Sequence, residues 1–239
     1  QAELLGISVS IKEGEAAYVP VGGEGMHLER DEVLAKLKPV LEDEKIAKTG
    51  QNIKYDMCVL ANYGVELKGV SFDTMVAAYV LNPAKRNYGI DDLTFEFLGR
   101  GKTSFKEVVG KQKTLAEVPI DIVSSYACED ADAAFRLGGK LKPLLEERGF
   151  AKLFTECEMP LVAVLADMER NGIALDASYL EDLGSGFESQ LNELQEKIWR
   201  TAGGEFNISS PKQLAEVLFD RLALKPGKKT KTGFSTDVK

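Results

Sequence analysis

The chain has 239 residues, 44% hydrophobic and 28% charged, which is the composition of an ordinary soluble globular protein with room for about one and a half domains. Its 30 lysines and arginines against 38 acids give a formal net charge of −8, which argues against a uniformly basic nucleic-acid surface. A single histidine (His27) and three cysteines without Cys-x-x-Cys spacing exclude a His-rich metal site and a fully paired disulfide framework; any metal must be held by carboxylates, which suits Mg²⁺ or Mn²⁺ better than Zn²⁺.

The N-terminus has no signal-peptide pattern and no initiator Met, and it begins almost inside a strand, as a trimmed piece would. No run of about 18 apolar residues is present. A cytoplasmic, non-membrane protein is expected. Leu5, Ile7, Val9 and Ile11 alternate with small residues, the pattern of a half-buried strand over 5–11. A turn at 12–15 and a second strand over 16–21 complete a hairpin. Val33, Leu34, Leu37, Val40 and Leu41 give 31–43 a helical period. A short strand at 46–50 leads to a helix that Asn52 opens and Gly64 closes. Another strand, 69–72, ends at Asp73, the N-cap of a helix running to Leu81. Short helices are expected near 91–98 and 104–109, then a long helix over 122–147 capped by Asp121. Strands followed by helices with strands between them indicate an α/β sheet domain.

Character changes at Gly149, so the expected domains are 1–149 and 150–239. The second is nearly all helix. One helix covers 156–170 and ends at Asn171-Gly172; Asp176 caps another over 177–201, with Tyr179, Leu180, Leu183, Phe187, Leu191, Leu194 and Ile198 at helical spacing. Ser210 and Pro211 start a helix that ends near Leu222. Lys225, Lys228, Lys229 and Lys231 then form a basic tail with no acid between them, where the chain is expected to have been cut again.

Tyr126 and Asp130 are four residues apart on a helix, so they share one face and could jointly hold a metal-bound water. The spacing alone is better read as a half-exposed tyrosine beside a solvated acid. Asp132 is further round the helix and reads as solvated. Asp56 lies a turn into its own helix, where the macrodipole favours any acid. Cys58, Cys128 and Cys157 sit in helical, mostly apolar contexts and read as buried reduced thiols.

In combination these segments say more. Thr49-Gly50-Gln51-Asn52-Ile53-Lys54-Tyr55-Asp56, followed by Leu60-Ala61-Asn62-Tyr63-Gly64, resembles the second exonuclease motif of the family-A DNA polymerases, the bacterial DNA polymerase I type. Phe72-Asp73-Thr74-Met75 follows at the family's spacing, and Tyr126-Ala127-Cys128-Glu129-Asp130 resembles the third motif. Met168-Glu169-Arg170-Asn171-Gly172-Ile173 and Phe206-Asn207, with Ser209-Ser210-Pro211-Lys212-Gln213-Leu214, resemble the opening of the polymerase domain. The resemblance implies a ribonuclease H-like α/β exonuclease domain, a mixed sheet flanked by helices, followed by an all-α partial thumb. It implies 3′–5′ hydrolysis of DNA through two divalent metals. Asp130 and Asp56 would be metal ligands, and Tyr126 would orient the attacking water. Gln51, Asn52 and Tyr55 would lie near the 3′ end of the strand. Phe105 would stack on terminal bases, its alternative being a core aromatic. Arg86 would contact phosphate, and Lys228, Lys229 and Lys231 would touch the duplex backbone, their alternative being a solvated linker. DNA is the implied partner and a monomer the implied state.

One departure is decisive. The family's Asp-x-Glu strand does not precede the 5–11 strand, so the chain is expected to bind the metal pair poorly and not to cleave at a useful rate. An RNase D-like RNA exonuclease shares the Tyr-x-x-x-Asp form, but residues 155–222 resemble a polymerase thumb. A non-catalytic exonuclease-fold scaffold is the third reading.

Overall fold

The computed structural model describes residues 3–227, 229–230 and 233–236. They form two compact units, Gln1–Gly172 and Ile173–Lys239. The helical residues after Gly149 therefore pack with the first unit, and the compact units part later than the change in sequence character.

The first unit begins with an antiparallel hairpin, β1 (Gly6–Lys12) against β2 (Glu15–Pro20), in which Ile7 pairs with Val19 and Val9 with Ala17. Gly6 lets the Tyr18 ring lie across the backbone; a Cβ there would stand 2.2 Å from the ring. The expected half-buried face is only partly realised. Leu5 and Ile7 are half-buried, whereas Val9 and Ile11 are exposed. After α1 (Arg30–Leu41), the parallel pair β3 (Lys48–Gly50) and β4 (Val70–Asp73) flanks α2 (Ile53–Ala61). Gly69 begins the return at φ +67°, and a Cβ there would meet the Ile46 carbonyl at 2.4 Å, so the turn requires glycine. The two strand pairs are not hydrogen-bonded to each other among the described residues.

The helices α3 (Thr74–Leu81), α4 (Ile90–Leu98) and α5 (Phe105–Val109) lead to α6 (Ile120–Glu147), which packs on both strand pairs and on α3 and α4. Its buried residues Ala134, Leu137, Leu141 and Leu145 recur at three- and four-residue intervals, and the three leucines belong to the main core, while Val123 packs with Val108 and Val118 in a smaller cluster. The helix starts earlier than expected. Pro119 is its N-cap residue, so Asp121 lies in the first turn, where it favours the dipole but does not cap.

The chain then stays helical from α7 (Ala151–Leu153) through a wide π-type turn (Phe154–Glu158) into α8 (Met159–Asn171). Pro160 explains the widening: it has no N–H to donate, and its ring would clash with the carbonyl one turn back in a regular α-helix. Phe154 in this turn is 2% exposed, and its ring lies 4.8 Å from that of Phe72 on β4. All three cysteines are free, and it is their burial that departs from expectation: Cys58 and Cys128 are half-buried and Cys157 is exposed.

In the second unit, α9 (Ala177–Ala202) is capped by Asp176, whose carboxylate accepts from Tyr179 N at 3.0 Å, and it ends at Gly203 with φ +74°. Its apolar stripe is present as read, but Tyr179, Leu180, Phe187, Leu191 and Leu194 are exposed. The helix α10 (Pro211–Ala215) has Ser210 as cap and continues into a π-type turn, Glu216–Arg221. The strands β5 (Lys229–Thr230) and β6 (Gly233–Phe234) form a short antiparallel pair. Lys228 and Lys231 lie outside the described residues. No helix among the described residues is long and apolar enough to cross a membrane.

Candidate active site

The segment ahead of α2 is built differently from its sequence reading. Asn52 adopts the left-handed conformation (φ 56°, ψ 43°), and its side chain makes no cap bond. The cap comes from Asp73, twenty residues on. Its carboxylate accepts from Asn52 N at 3.2 Å and Ile53 N at 2.7 Å, as well as from Met75 N and Val76 N of its own helix. One carboxylate, 1% exposed, thus serves the N-termini of α2 and α3 together. Gln51 is used up locally: its Nε2 donates to Tyr88 O at 2.7 Å, and its Oε1 accepts from the Thr74 hydroxyl. Tyr55 is exposed.

Asp56 is open to solvent, yet protein surrounds it closely. Burial, first, and then the Asp73 carboxylate raise its pKa from 3.8 to about 6. The folded chain therefore holds this proton more tightly than the unfolded chain does. Stability is greatest below the unfolded value and falls as pH rises through about 6. Asp56→Asn is expected to remove that slope. Solvent contact limits the gain to about 1 kcal/mol, or a few degrees in Tm near pH 8, with no change near pH 4. Thermal melts across that range check it; an equal change at every pH would count against it.

Tyr126 and Asp130 do lie on one face of α6, but they meet a residue that the sequence reading passed over. The Lys102 side chain is fully buried. Its ammonium lies 2.7 Å from Asp130 Oδ1, donates to Asp91 Oδ1 at 2.9 Å and to Thr103 O at 2.7 Å, and sits 4.7 Å from the centre of the Tyr126 ring. Asp130 Oδ1 is buried and accepts no well-aligned hydrogen bond, so its tie to Lys102 is an ion pair rather than a directed bond. Burial opposes the lysine's charge, but Asp130 and Asp91 more than offset it and raise its pKa. Burial raises the Asp130 pKa, with Lys102 and Tyr126 pulling the other way. Burial and then Asp130 push the Tyr126 hydroxyl well above the ordinary tyrosine range. Nothing in the sequence marked Lys102, which lies in a Gly-Lys-Thr loop; its carboxylate partners come from α4 and α6.

Asp132 reverses its expectation. It is 9% exposed rather than solvated, accepting from Gly14 N at 2.7 Å, Arg100 Nη2 at 2.9 Å and Arg136 Nε at 2.7 Å. Arg136 also pairs with Glu13, so this cluster fastens the β1–β2 turn to α6. Phe105 is 52% exposed, which removes the core-aromatic alternative; Arg86 is exposed. A cleft of about 620 Å³, lined by Met57, Leu67, Met159 and Val162 among others, includes none of Asp56, Tyr126 or Asp130.

Asp56 and Asp130 have different electrostatic neighbours: Asp73 for the first, Lys102, Tyr126 and Asp91 for the second. Among the described residues, no three histidines, cysteines or acids converge on a possible metal position. The donor set this chain presents does not fit a divalent-metal pair.

Two family models match the chain: 3′–5′ exonuclease over residues 1–146 and DNA polymerase family A over residues 177–239. The first spans more than half of the chain, which therefore belongs to the 3′–5′ exonuclease family of the family-A DNA polymerases. DNA polymerase I of Pseudomonas aeruginosa is 42% identical over 243 residues, covering 98% of this chain and 27% of the relative. That of Chloroflexus aurantiacus is 38% identical, covering 94% of this chain and 24% of the relative. Among solved structures, the POL domain of Pol1 from M. smegmatis in complex with DNA primer-template and dNTP is 32% identical, with a TM-score of 0.66 over 94% of this chain and 35% of that one. The chain spans about a quarter of the length of the curated relatives it matches.

Proposed function

We propose that this chain is the proofreading 3′–5′ exonuclease region, residues 1–149, and the opening of the polymerase domain, residues 150–239, of a DNA polymerase I-type enzyme that hydrolyses the 3′-terminal phosphodiester of DNA. The observation that carries this is the match of both family models in that order along one chain. The polymerase match over 177–239 also favours this reading over an RNase D-like enzyme. DNA is the proposed substrate, with Tyr55, Phe105 and Arg86 exposed and able to meet it, and Lys229 at the basic tail. A cytoplasmic monomer is the proposed state.

Asp56 and Asp130 are the carboxylates this chain would contribute to a Mg²⁺ or Mn²⁺ centre, and Tyr126 the hydroxyl beside it. Two carboxylates with separate surroundings are too few for a metal pair, so the chain as it stands is proposed to be inactive. The two strand pairs on α6, unlinked to each other among the described residues, are consistent with a further strand carrying Asp-x-Glu between them.

The test is 3′-labelled single-stranded DNA with Mg²⁺. The pure chain is expected to leave it intact. A version extended upstream by an Asp-x-Glu strand is expected to shorten it, and Asp130→Ala to abolish that activity. Shortening by the unextended chain that depends on Asp130 would overturn the inactivity. An extended version that never cleaves would overturn the assignment.

A further inference from the structure

The cluster around Lys102 departs from what a metal-binding carboxylate should show. Asp91 Oδ1, Asp130 Oδ1 and Thr103 O surround one point at 2.7–2.9 Å, and that point is held by an ammonium. Two carboxylate oxygens and a backbone carbonyl are the donors that hard divalent cations take, at slightly shorter distances. The ammonium is not a surface charge resting on acids. Its side chain is fully buried, it donates to Asp91 Oδ1 and Thr103 O and forms an ion pair with Asp130 Oδ1, and the Tyr126 ring adds attraction from one side.

We propose that Lys102 is the resident counter-cation of Asp130 and Asp91 and that it competes with a divalent metal for the oxygens it holds. An ammonium and a dication cannot share this cage, because like charges a few ångströms apart repel. Metal entry at Asp130 therefore requires Lys102 to withdraw. The loop that carries it permits this. Lys102 lies between α4 and α5, after Gly99 and Gly101, so it can swing out without unwinding a helix. The lysine keeps Asp130 charge-balanced in the metal-free state and sets the threshold at which metal takes over. This rests on the reading of Asp130 as a metal-facing carboxylate.

The test titrates Mn²⁺ into the full chain and counts free ion by electron paramagnetic resonance. The proteins compared are the wild-type chain, Lys102→Met, Asp130→Asn and the double variant. Lys102→Met is expected to bind Mn²⁺ at least about ten-fold more tightly than wild type, and the double variant to lose that gain. A folded Lys102→Met chain that binds no more tightly overturns the proposal, since a purely structural lysine would cost stability and give no metal affinity. In that case, binding that both chains lose with Asp130→Asn leaves the reading of Asp130 intact. A gain that survives in the double variant overturns that reading as well. Should Lys102→Met fail to fold, acylation of wild-type lysines read by mass spectrometry decides. Lys102 is expected to be protected without metal and labelled in millimolar Mn²⁺, and unchanged protection overturns the proposal.

Discussion

Asp73→Ala is expected to destabilise the chain by about 3–5 kcal/mol, a larger loss than one helix cap provides. An ordinary N-cap substitution costs about 1 kcal/mol. Here the same carboxylate also holds Asn52 N and Ile53 N, so alanine leaves donors of two helix N-termini without a partner in a site that is 1% exposed. Each buried unsatisfied N–H costs about 1–3 kcal/mol. Asp73→Asn should recover only part of this, because one of its two side-chain atoms is a donor facing donors. A second readout separates lost caps from general loosening. Asp73 is the second cause of the raised Asp56 pKa, so either variant should bring that pKa down from about 6. Urea unfolding and titration of Asp56 by NMR check both. A loss below about 1 kcal/mol would show that the α2 terminus finds its partners elsewhere.

Phe154→Ala is expected to cost about 3–5 kcal/mol. The ring is 2% exposed, lies tilted against Phe72 at 4.8 Å, and belongs to the core cluster that includes Leu137, Leu141 and Leu145 of α6. Removing it opens a cavity beside β4, at the strand end that carries Asp73. Leu180→Ala is the matched control. Leu180 is 51% exposed, so truncation should change stability by no more than about 0.5 kcal/mol. Urea midpoints for the two variants test the contrast, and equal losses would mean that the α9 stripe is covered in solution.

That contrast shows what periodicity can convey. The stripe on α9 was legible because a 3.6-residue period is a property of the segment itself. Its exposure was not, because periodicity says that a face is apolar and not what covers it. Phe154 stood in no period, and its burial comes from a widened turn ahead of Pro160 and from strand β4, more than eighty residues earlier. Caps divide in the same way. Asp73, Asp176 and Ser210 were readable because a cap lies within three residues of the donors it serves. Asn52 and Asp121 occupied plausible positions, but the first helix takes its cap from Asp73 and the second starts before Asp121.

The candidate site divides along the same line. Tyr126 and Asp130 were placed on one face by helix geometry alone, and the motifs around them led to the exonuclease family. Asp132 read as solvated because the helix surface carries no sign of Gly14 or Arg100, which arrive from other segments and join Arg136 of the same helix. Lys102 was invisible because a lone lysine in a loop is ordinarily solvated, and only tertiary packing encloses its charge between Asp91 and Asp130. The sequence by itself determined the α/β order of elements, the helix faces, most of the local caps and the family, because each depends on residues a few positions apart or on short motifs. Only the tertiary structure decided which carboxylate caps which helix, which apolar face is covered and which cation Asp130 meets, because those depend on distances between segments that the chain brings together only on folding.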